Sequence, residues 1–508
     1  MLLWVAVVSS LAVQLGVDGA GWPNSLVWGP ALNAECTLPV RYLFIQLVDN
    51  NGVNVTAPPQ SDYLRFWAKG EDSGCRLHGE LIDRRDGSYI ARFKLWSSCA
   101  RVSLHLTTVD GDAVGRSPYI VQRKEGLLPA DHCYCPEKSV KRWLELTECP
   151  SSYPLIKQQL SFWPKGSVDF SLVLEQAKLR WAAYPGSHSF CHYQFLNNQI
   201  YRKCYGDHIG FKMFSDAVFL SLARKVRLPD TQFLINLGDW PLEKRTVAEG
   251  PIPILSWCGS VLTKDITLPT YELTEATLEM MGRQSLDVQS VQGMRTGNWS
   301  EKIDRALFRG RDSRQERLDL VLLARRNPQH LEAGITRFFF FRDQMHLYGP
   351  EVPHLPFGDF FKYRYHINVD GTVAAYRLAY LLGGDSLVLK QHSPYYEHFY
   401  KQLLPWVHFV PLKRDLSDLI DKIEWARSNE DKVRGIIANA QQFLNDHLQP
   451  NQIFCYHLIA LHTYSTVLTG PPEAIADGME MVNQTDKSTD CPCFENLDKS
   501  PSRASDEL

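Results

Sequence analysis

Three charged clusters in this sequence directly follow apolar runs, and each suits a different step of group transfer. The first is Phe233-Leu234-Ile235-Asn236-Leu237-Gly238-Asp239-Trp240-Pro241. A carboxylate at Asp239, just past a strand, can accept the proton of an attacking hydroxyl; an aspartate there is equally suited to capping a turn. The second is Phe308-Arg309-Gly310-Arg311-Asp312-Ser313-Arg314-Gln315-Glu316-Arg317, with four arginines in nine residues ahead of an apolar helix from Leu318 to Ala324. Guanidinium forks match phosphate oxygens bidentately, which makes Arg311 and Arg317 candidates; a solvated helix start with internal Arg/Glu pairs is the plainer reading. The third runs from Tyr365 to Arg377: a strand, an Asp370-Gly371 turn, and a helix expected to open at Thr372. Small side chains at Thr372, Ala374 and Ala375, among Val373 and Tyr376, would let a diphosphate approach helix-end N–H groups, with Arg377 one turn along. The glycine signatures of Walker and Rossmann loops do not occur, which counts against a kinase, an NTPase and a dehydrogenase.

Positioning these clusters requires an α/β scaffold. From about residue 150 to 468, short apolar strands alternate with amphipathic helices. Strands are expected at Gln232–Leu237, Ile252–Trp257, Arg364–Val369, Ser386–Lys390 and Val407–Leu412, and a helix at Asp415–Trp425. Before residue 130 the texture is period-two strands and turns: Tyr42–Val48, Ser88–Trp96 and Arg101–Val109, with Asn51-Gly52, Asp86-Gly87 and Asp110-Gly111 between or beside them. This reads as a β-sandwich over 21–130, and its ends, Gly29-Pro30-Ala31-Leu32 and Gly115-Arg116-Ser117-Pro118-Tyr119, resemble those of a filamin-type immunoglobulin-like repeat. A cysteine-bearing connector fills 131–150, and a polar tail 469–508. The aromatic stretch Tyr395–His408 is expected to pack a core, the commoner use of buried aromatics, with the lining of a sugar site as the alternative.

The two ends suggest a compartment. Residues 1–20 have the apolar run and small terminal residues of a cleaved signal peptide, with a retained anchor as the alternative. Ser505-Asp506-Glu507-Leu508 resembles the address read by the retrieval receptor of the endoplasmic reticulum, so the expected location is that lumen. Asn54, Asn298 and Asn483 head N-glycosylation sequons. Twelve cysteines suit an oxidising lumen, and the pairs Cys133/Cys135 and Cys491/Cys493 read as disulfide halves rather than metal knuckles. No further apolar run reaches bilayer length, and a net charge of −3 carries no polybasic footprint, so neither membrane insertion nor nucleic-acid binding is expected.

Taken in order, His192-Tyr193-Gln194, Leu237-Gly238-Asp239-Trp240-Pro241, Phe308-Arg309-Gly310 with Glu316-Arg317, Gly371 to Arg377, and Leu404-Pro405-Trp406-Val407-His408 resemble the CAP10-like glycosyltransferases, family 90. The resemblance implies a GT-B pair of Rossmann-like halves, acceptor side over 151–300 and UDP-sugar side over 301–468. It implies inverting transfer of glucose, or xylose, from a UDP-sugar to a serine of EGF-like repeats in secretory-pathway proteins such as Notch-type receptors. Asp239 is then the general base; Arg311, Arg317 and Thr372, Val373, Ala374, Ala375, Tyr376 and Arg377 contact the UDP-sugar. Arg311 departs from the family pattern, where a serine stands in one member. Cys204 departs too: Gly210 replaces the cysteine six residues on, so the acceptor-facing loop is expected to differ. No isolated Asp-X-Asp follows a strand in the donor half, so arginines rather than a metal are expected to meet the diphosphate charge, and no other cofactor is implied. The competing readings are an inactive lumenal chaperone or adaptor with a transferase-like domain, and a glycan hydrolase, which would need two facing carboxylates.

Overall fold

Alternating strands in the first hundred residues build two facing antiparallel sheets in the computed structural model, which describes residues 22–56, 63–182, 188–246, 250–278, 287–296, 298–483 and 491. The expected leader and retention signal lie outside the described residues. One sheet joins Leu26–Trp28, Arg41–Gln46, Ser88–Leu95 and Leu77–Asp83; the other joins Leu64–Gly70, Val102–Thr108 and Tyr119–Val121. Ser88–Leu95 is buried on both faces because its alternate residues serve two cores. Tyr89, Ala91, Phe93 and Leu95 fill the sandwich. Ile90 belongs to the core of the α/β part, and Arg92 and Lys94, on the same face as Ile90, reach Asp287 and Asp131.

Two larger sheets follow. The first runs Ile266–Thr267, Ile254–Ser256, Thr231–Asn236, Phe190–Leu196, Gln199–Tyr205 and Glu480–Met481; its first three strands are parallel and the rest antiparallel. The Phe190–Leu196 and Gln199–Tyr205 hairpin is cross-linked by Cys191–Cys204, so Cys204 finds its partner across the hairpin, and Gly210 leaves it none the poorer. The second sheet is wholly parallel, in the order Leu331–Arg337, Ile303–Arg311, Tyr363–Asn368, Leu387–Gln391 and Val410–Leu412. Strand order reverses between Ile303–Arg311 and Tyr363–Asn368, the topological switch point where such sheets bind ligands beyond their carboxyl ends.

The chain then returns to the first sheet. Helix Pro450–Ser465 places Phe454, Tyr456, Leu458, Leu461 and Tyr464 in the first core and is tied to the connector by Cys149–Cys455. Gly259–Ser260 and Tyr395–Tyr396 pair as a two-stranded link between the halves. Cys133–Cys491 joins connector to tail, and Cys135 is disulfide-bonded as well. Among the described residues no helix is long and apolar enough to cross a membrane.

Two helices begin later than their sequence patterns suggest. Asp415–Trp425 gives way to Leu419–Ser428, because Asp415 and Asp418 accept N–H bonds from Ser417 and Lys413 and hold the start as a turn. The helix expected at Thr372 opens at Leu378. Arg314 takes the carbonyls of Gly371 and Thr372, and Arg317 those of Val369 and Asp370; these acceptors are therefore turned to arginines rather than to a helical ladder. Residues Thr372 to Arg377 form a loop, and the helix-end argument does not apply to them.

Candidate active site

Asp239 stands on a loop pinned at both ends. Asn236, the last residue of Thr231–Asn236, donates from Nδ2 to the Trp240 carbonyl at 2.6 Å and accepts the Gly238 N–H at 2.9 Å. On the far side the buried Asp265 carboxylate accepts from Leu242 N, Glu243 N and Ser256 Oγ at 2.7, 2.9 and 2.6 Å. The loop has little freedom, and Asp239 is held half-buried at its turn. Its Oδ1 is buried without a hydrogen-bond partner in the protein, and burial raises its pKa above the ordinary carboxylate value. A desolvated carboxylate with an open oxygen is a better proton acceptor than one in water.

Beside it begins helix Tyr271–Leu278. The Tyr271 ring lies between Phe211, at 5.0 Å, and Trp257, at 6.0 Å, and meets Tyr376 edge-on at 5.6 Å. Glu272 has its pKa raised by burial; the nearby charge of Arg377 works against that rise and that of Asp239 adds to it. Glu272 thus feels the charges of both Asp239 and Arg377, although the three come from separate segments.

The second sheet supplies the cations. Arg311 ends the strand Ile303–Arg311 and is exposed. Arg377 is well covered; burial lowers its pKa while Glu272 partly restores it, and its Nη1 donates to the Arg309 carbonyl at 2.5 Å. Arg317 has a different setting. Its guanidinium lies 5.4 Å from the Phe308 ring and donates to the carbonyls of Asp370, Arg311 and Val369 at 2.7, 3.0 and 3.1 Å. It is 4% exposed, and burial, then the charge of Arg377, lower its pKa to about 9. Arg317 therefore splices the ends of two adjacent strands together beneath the site. Gly310 is crowded by both guanidiniums: a Cβ there would come within 3.1 Å of Arg317 and 3.4 Å of Arg377. Arg314 clamps the carbonyls of Gly371 and Thr372 and lies 5.2 Å from the Tyr395 ring. Val373, Ala374, Ala375 and Tyr376 are buried, and Thr372 is partly exposed.

Several groups here were not singled out in the sequence. Asp312, fully buried, receives the N–H groups of Phe339, Phe340 and Phe341 and fixes the loop after Leu331–Arg337. Glu397, inside the stretch assigned to packing, is a buried carboxyl whose pKa is pushed well up by desolvation. Its oxygens lie near Tyr400 and Thr270 without a hydrogen bond of ordinary geometry. A single acid among aromatics was the available signal. Of the sequons, Asn54, Asn298 and Asn483 are all exposed. Among the described residues, the clusters of possible metal ligands are built on disulfide cysteines and lie away from this cleft.

Comparison with known proteins is consistent with this arrangement. The model of "Glycosyl transferase family 90" matches residues 145–502. Protein O-glucosyltransferase 2 of Danio rerio is 45% identical over 472 residues, covering 93% of this chain and 92% of that one. Protein O-glucosyltransferase 3 of Homo sapiens is 43% identical over 489 residues, covering 95% and 94%. Protein O-glucosyltransferase 1 of Homo sapiens is 31% identical over 287 residues, 55% of this chain and 72% of its own.

Proposed function

From the premise that this chain belongs to glycosyl transferase family 90 and is a protein O-glucosyltransferase, we propose that it inverts the anomeric centre of UDP-glucose onto a serine of EGF-like repeats, with Asp239 as general base. The observation that carries this reading is Asp239 itself: a desolvated carboxylate with an open oxygen, whose charge acts on Tyr271 together with that of Arg311 and on Glu272 together with that of Arg377. The serine oxygen attacks C1 of the sugar from the face opposite UDP. The new C–O bond forms as the bond to the diphosphate oxygen breaks, the serine proton passes to Asp239, and UDP leaves as the anion. Arg311 and Arg377 would take up the charge that develops on the diphosphate, the task a metal ion performs elsewhere. Arg317 holds the Asp370 and Arg311 backbone in register beneath them and thereby shapes the sugar-nucleotide loop from Thr372 to Arg377.

The finer architecture in this reading is a GT-B pair of halves with a filamin-type module in front, working in the lumen of the endoplasmic reticulum. The disulfides Cys75–Cys99, Cys133–Cys491, Cys149–Cys455 and Cys191–Cys204 favour an oxidising compartment. The decisive experiment incubates the purified protein with UDP-glucose or UDP-xylose and folded EGF-like repeats, with and without EDTA. Glucosylation of a repeat serine that survives EDTA bears the reading out. Xylose as the faster sugar, or activity restored only by manganese, overturns the donor or the metal-free part of it respectively.

A further inference from the structure

We propose that the protein has a second ligand site, for a tetrahedral oxyanion of the phosphate or sulfate class, in the cleft between the N-terminal sandwich and the second α/β half. The cleft holds about 200 Å³. That is room for several waters at about 30 Å³ each, and hence for one such ion with part of its shell or a small attached group. The turn between Leu77–Asp83 and Ser88–Leu95 contributes Arg84, Arg85 and Asp86; the opposite wall contributes Arg295, Lys302, Asp385 and Arg434. Five cations thus face two carboxylates, and both carboxylates are engaged: Asp86 by Arg295, and Asp385 by Lys302 at 2.7 Å. Arg434 pairs with Glu430 on its own helix.

The unpaired atoms give the ligand's chemistry. Arg84 is 8% exposed and Arg295 5%, yet Arg84 Nε, Arg295 Nε and Arg295 Nη2 are buried with no hydrogen-bond partner in the protein. So is Nε1 of Trp299, which also lines the cleft. All four are N–H groups that can only donate. A buried donor left unpaired is costly, and donors that the two engaged carboxylates do not reach call for a ligand that only accepts. Arg84 has its pKa lowered to about 10, first by burial and then by the charge of Arg295, with the Asp86 carboxylate working against both. The Asp86 carboxylate offsets part of the repulsion between the two desolvated guanidiniums, a bound anion would offset more of it, and forked N–H pairs suit a tetrahedral oxyanion. Arg85 has φ 57, in the left-handed region, where the Asp83 carboxylate accepts its N–H at 2.7 Å and sets its place on the rim. None of the residues assigned to sugar transfer lines this cleft. An anion there would bridge the sandwich to the catalytic part and stabilise their docking.

The test is a thermal and calorimetric titration of the full-length protein, saturated with UDP, against inorganic phosphate, inorganic sulfate and glucose 6-phosphate. A saturable rise in Tm with any of the three, unaffected by UDP, is expected; the preferred member tells free ion from sugar-borne phosphate. Arg295→Gln should weaken binding at least about tenfold, since it removes charge-assisted bonds. Should that buried variant fold poorly, Ala438→Glu, at an exposed position on the cleft, should abolish binding while leaving UDP affinity and sugar transfer unchanged. Failure of all three anions to bind, displacement of the anion by UDP, or undiminished binding in Ala438→Glu each overturns the proposal.

Discussion

Asp239 combines two features that pull in opposite directions for stability and for chemistry. Burial raises its pKa, so the ionised form that accepts a proton is also the form the folded protein disfavours. A raised folded pKa contributes stability below the unfolded pKa, and that contribution is lost as pH rises through the folded value. At neutral pH the charge on Asp239 is therefore a cost. Asp239→Asn should lower kcat by about 10²- to 10⁴-fold, leave UDP affinity near wild type, and melt no lower than wild type at pH 7. Its Tm advantage should vanish in acid near the ordinary carboxylate pKa of about 4, where the wild-type group is already neutral. Initial rates across pH provide a second check: kcat/KM of the wild type should fall with acid through a midpoint above the ordinary carboxylate range. A midpoint at the ordinary value would mean that Asp239 is not the titrating base.

The loops at the switch point are held by side chains that take backbone groups. Arg317 satisfies three carbonyls from two strand ends, and Asp312 three consecutive N–H groups. Leaving such groups unpaired costs about 1–3 kcal/mol. Arg317→Met keeps the stack on Phe308 and removes the donors, so denaturant unfolding should show a loss of that order, with UDP affinity falling as the loop loosens. Arg377→Ala should divide the effects differently. It forfeits one backbone bond and a cation beside the cleft, so weaker UDP binding should outweigh lost stability. If Arg317→Met leaves the melting curve unchanged while UDP affinity collapses, Arg317 is a direct ligand rather than a splice. Asp312→Asn, measured the same way, should cost about 1–3 kcal/mol and increase hydrogen exchange at Phe339 to Phe341.

The sandwich and the α/β part form one packed body across an interface that is partly ionic. Arg92 reaches Asp287 at 3.2 Å with both side chains almost fully buried, and also donates to Ser290 Oγ at 3.1 Å. Tyr42 donates to Asn451 at 2.8 Å, and Lys94 and Lys225 share Asp131, whose pKa is held down to about 2 against burial. Removing Arg92 takes the cation from Asp287, which keeps its bonds from Ser290, and also from Glu80, so Arg92→Met should destabilise by about 3–5 kcal/mol in urea, and adding Asp287→Asn should recover part of that loss. Equal losses in the single and double variants would show that the pair is not coupled. At the same scale, Cys149–Cys455 closes a loop of 306 residues between connector and returning helix, and replacing both cysteines by serine should cost about 2–5 kcal/mol.

What the sequence determined by itself is what local patterns encode. Apolar runs followed by Asp239 and by the arginine cluster marked strand ends, and alternating residues before 130 marked a sandwich, because side-chain period and turn chemistry act over a few residues. The paired Cys133 and Cys491 were likewise legible as disulfide halves from their doublets. Only the tertiary structure decided which segments share acceptors and charges. The apparent helix start at Thr372 became a loop because Arg314, more than fifty residues earlier in the chain, claimed the carbonyls of Gly371 and Thr372, while Arg317 held those of Val369 and Asp370 just before them. Cys204 met Cys191 because a hairpin places them opposite each other. Glu272 and Glu397 became candidates only through burial, and the strand Ser88–Leu95 revealed two buried faces only when a second core covered the outer one. Burial and the pairing of polar groups are properties of contacts between distant segments, and a one-dimensional pattern does not specify them.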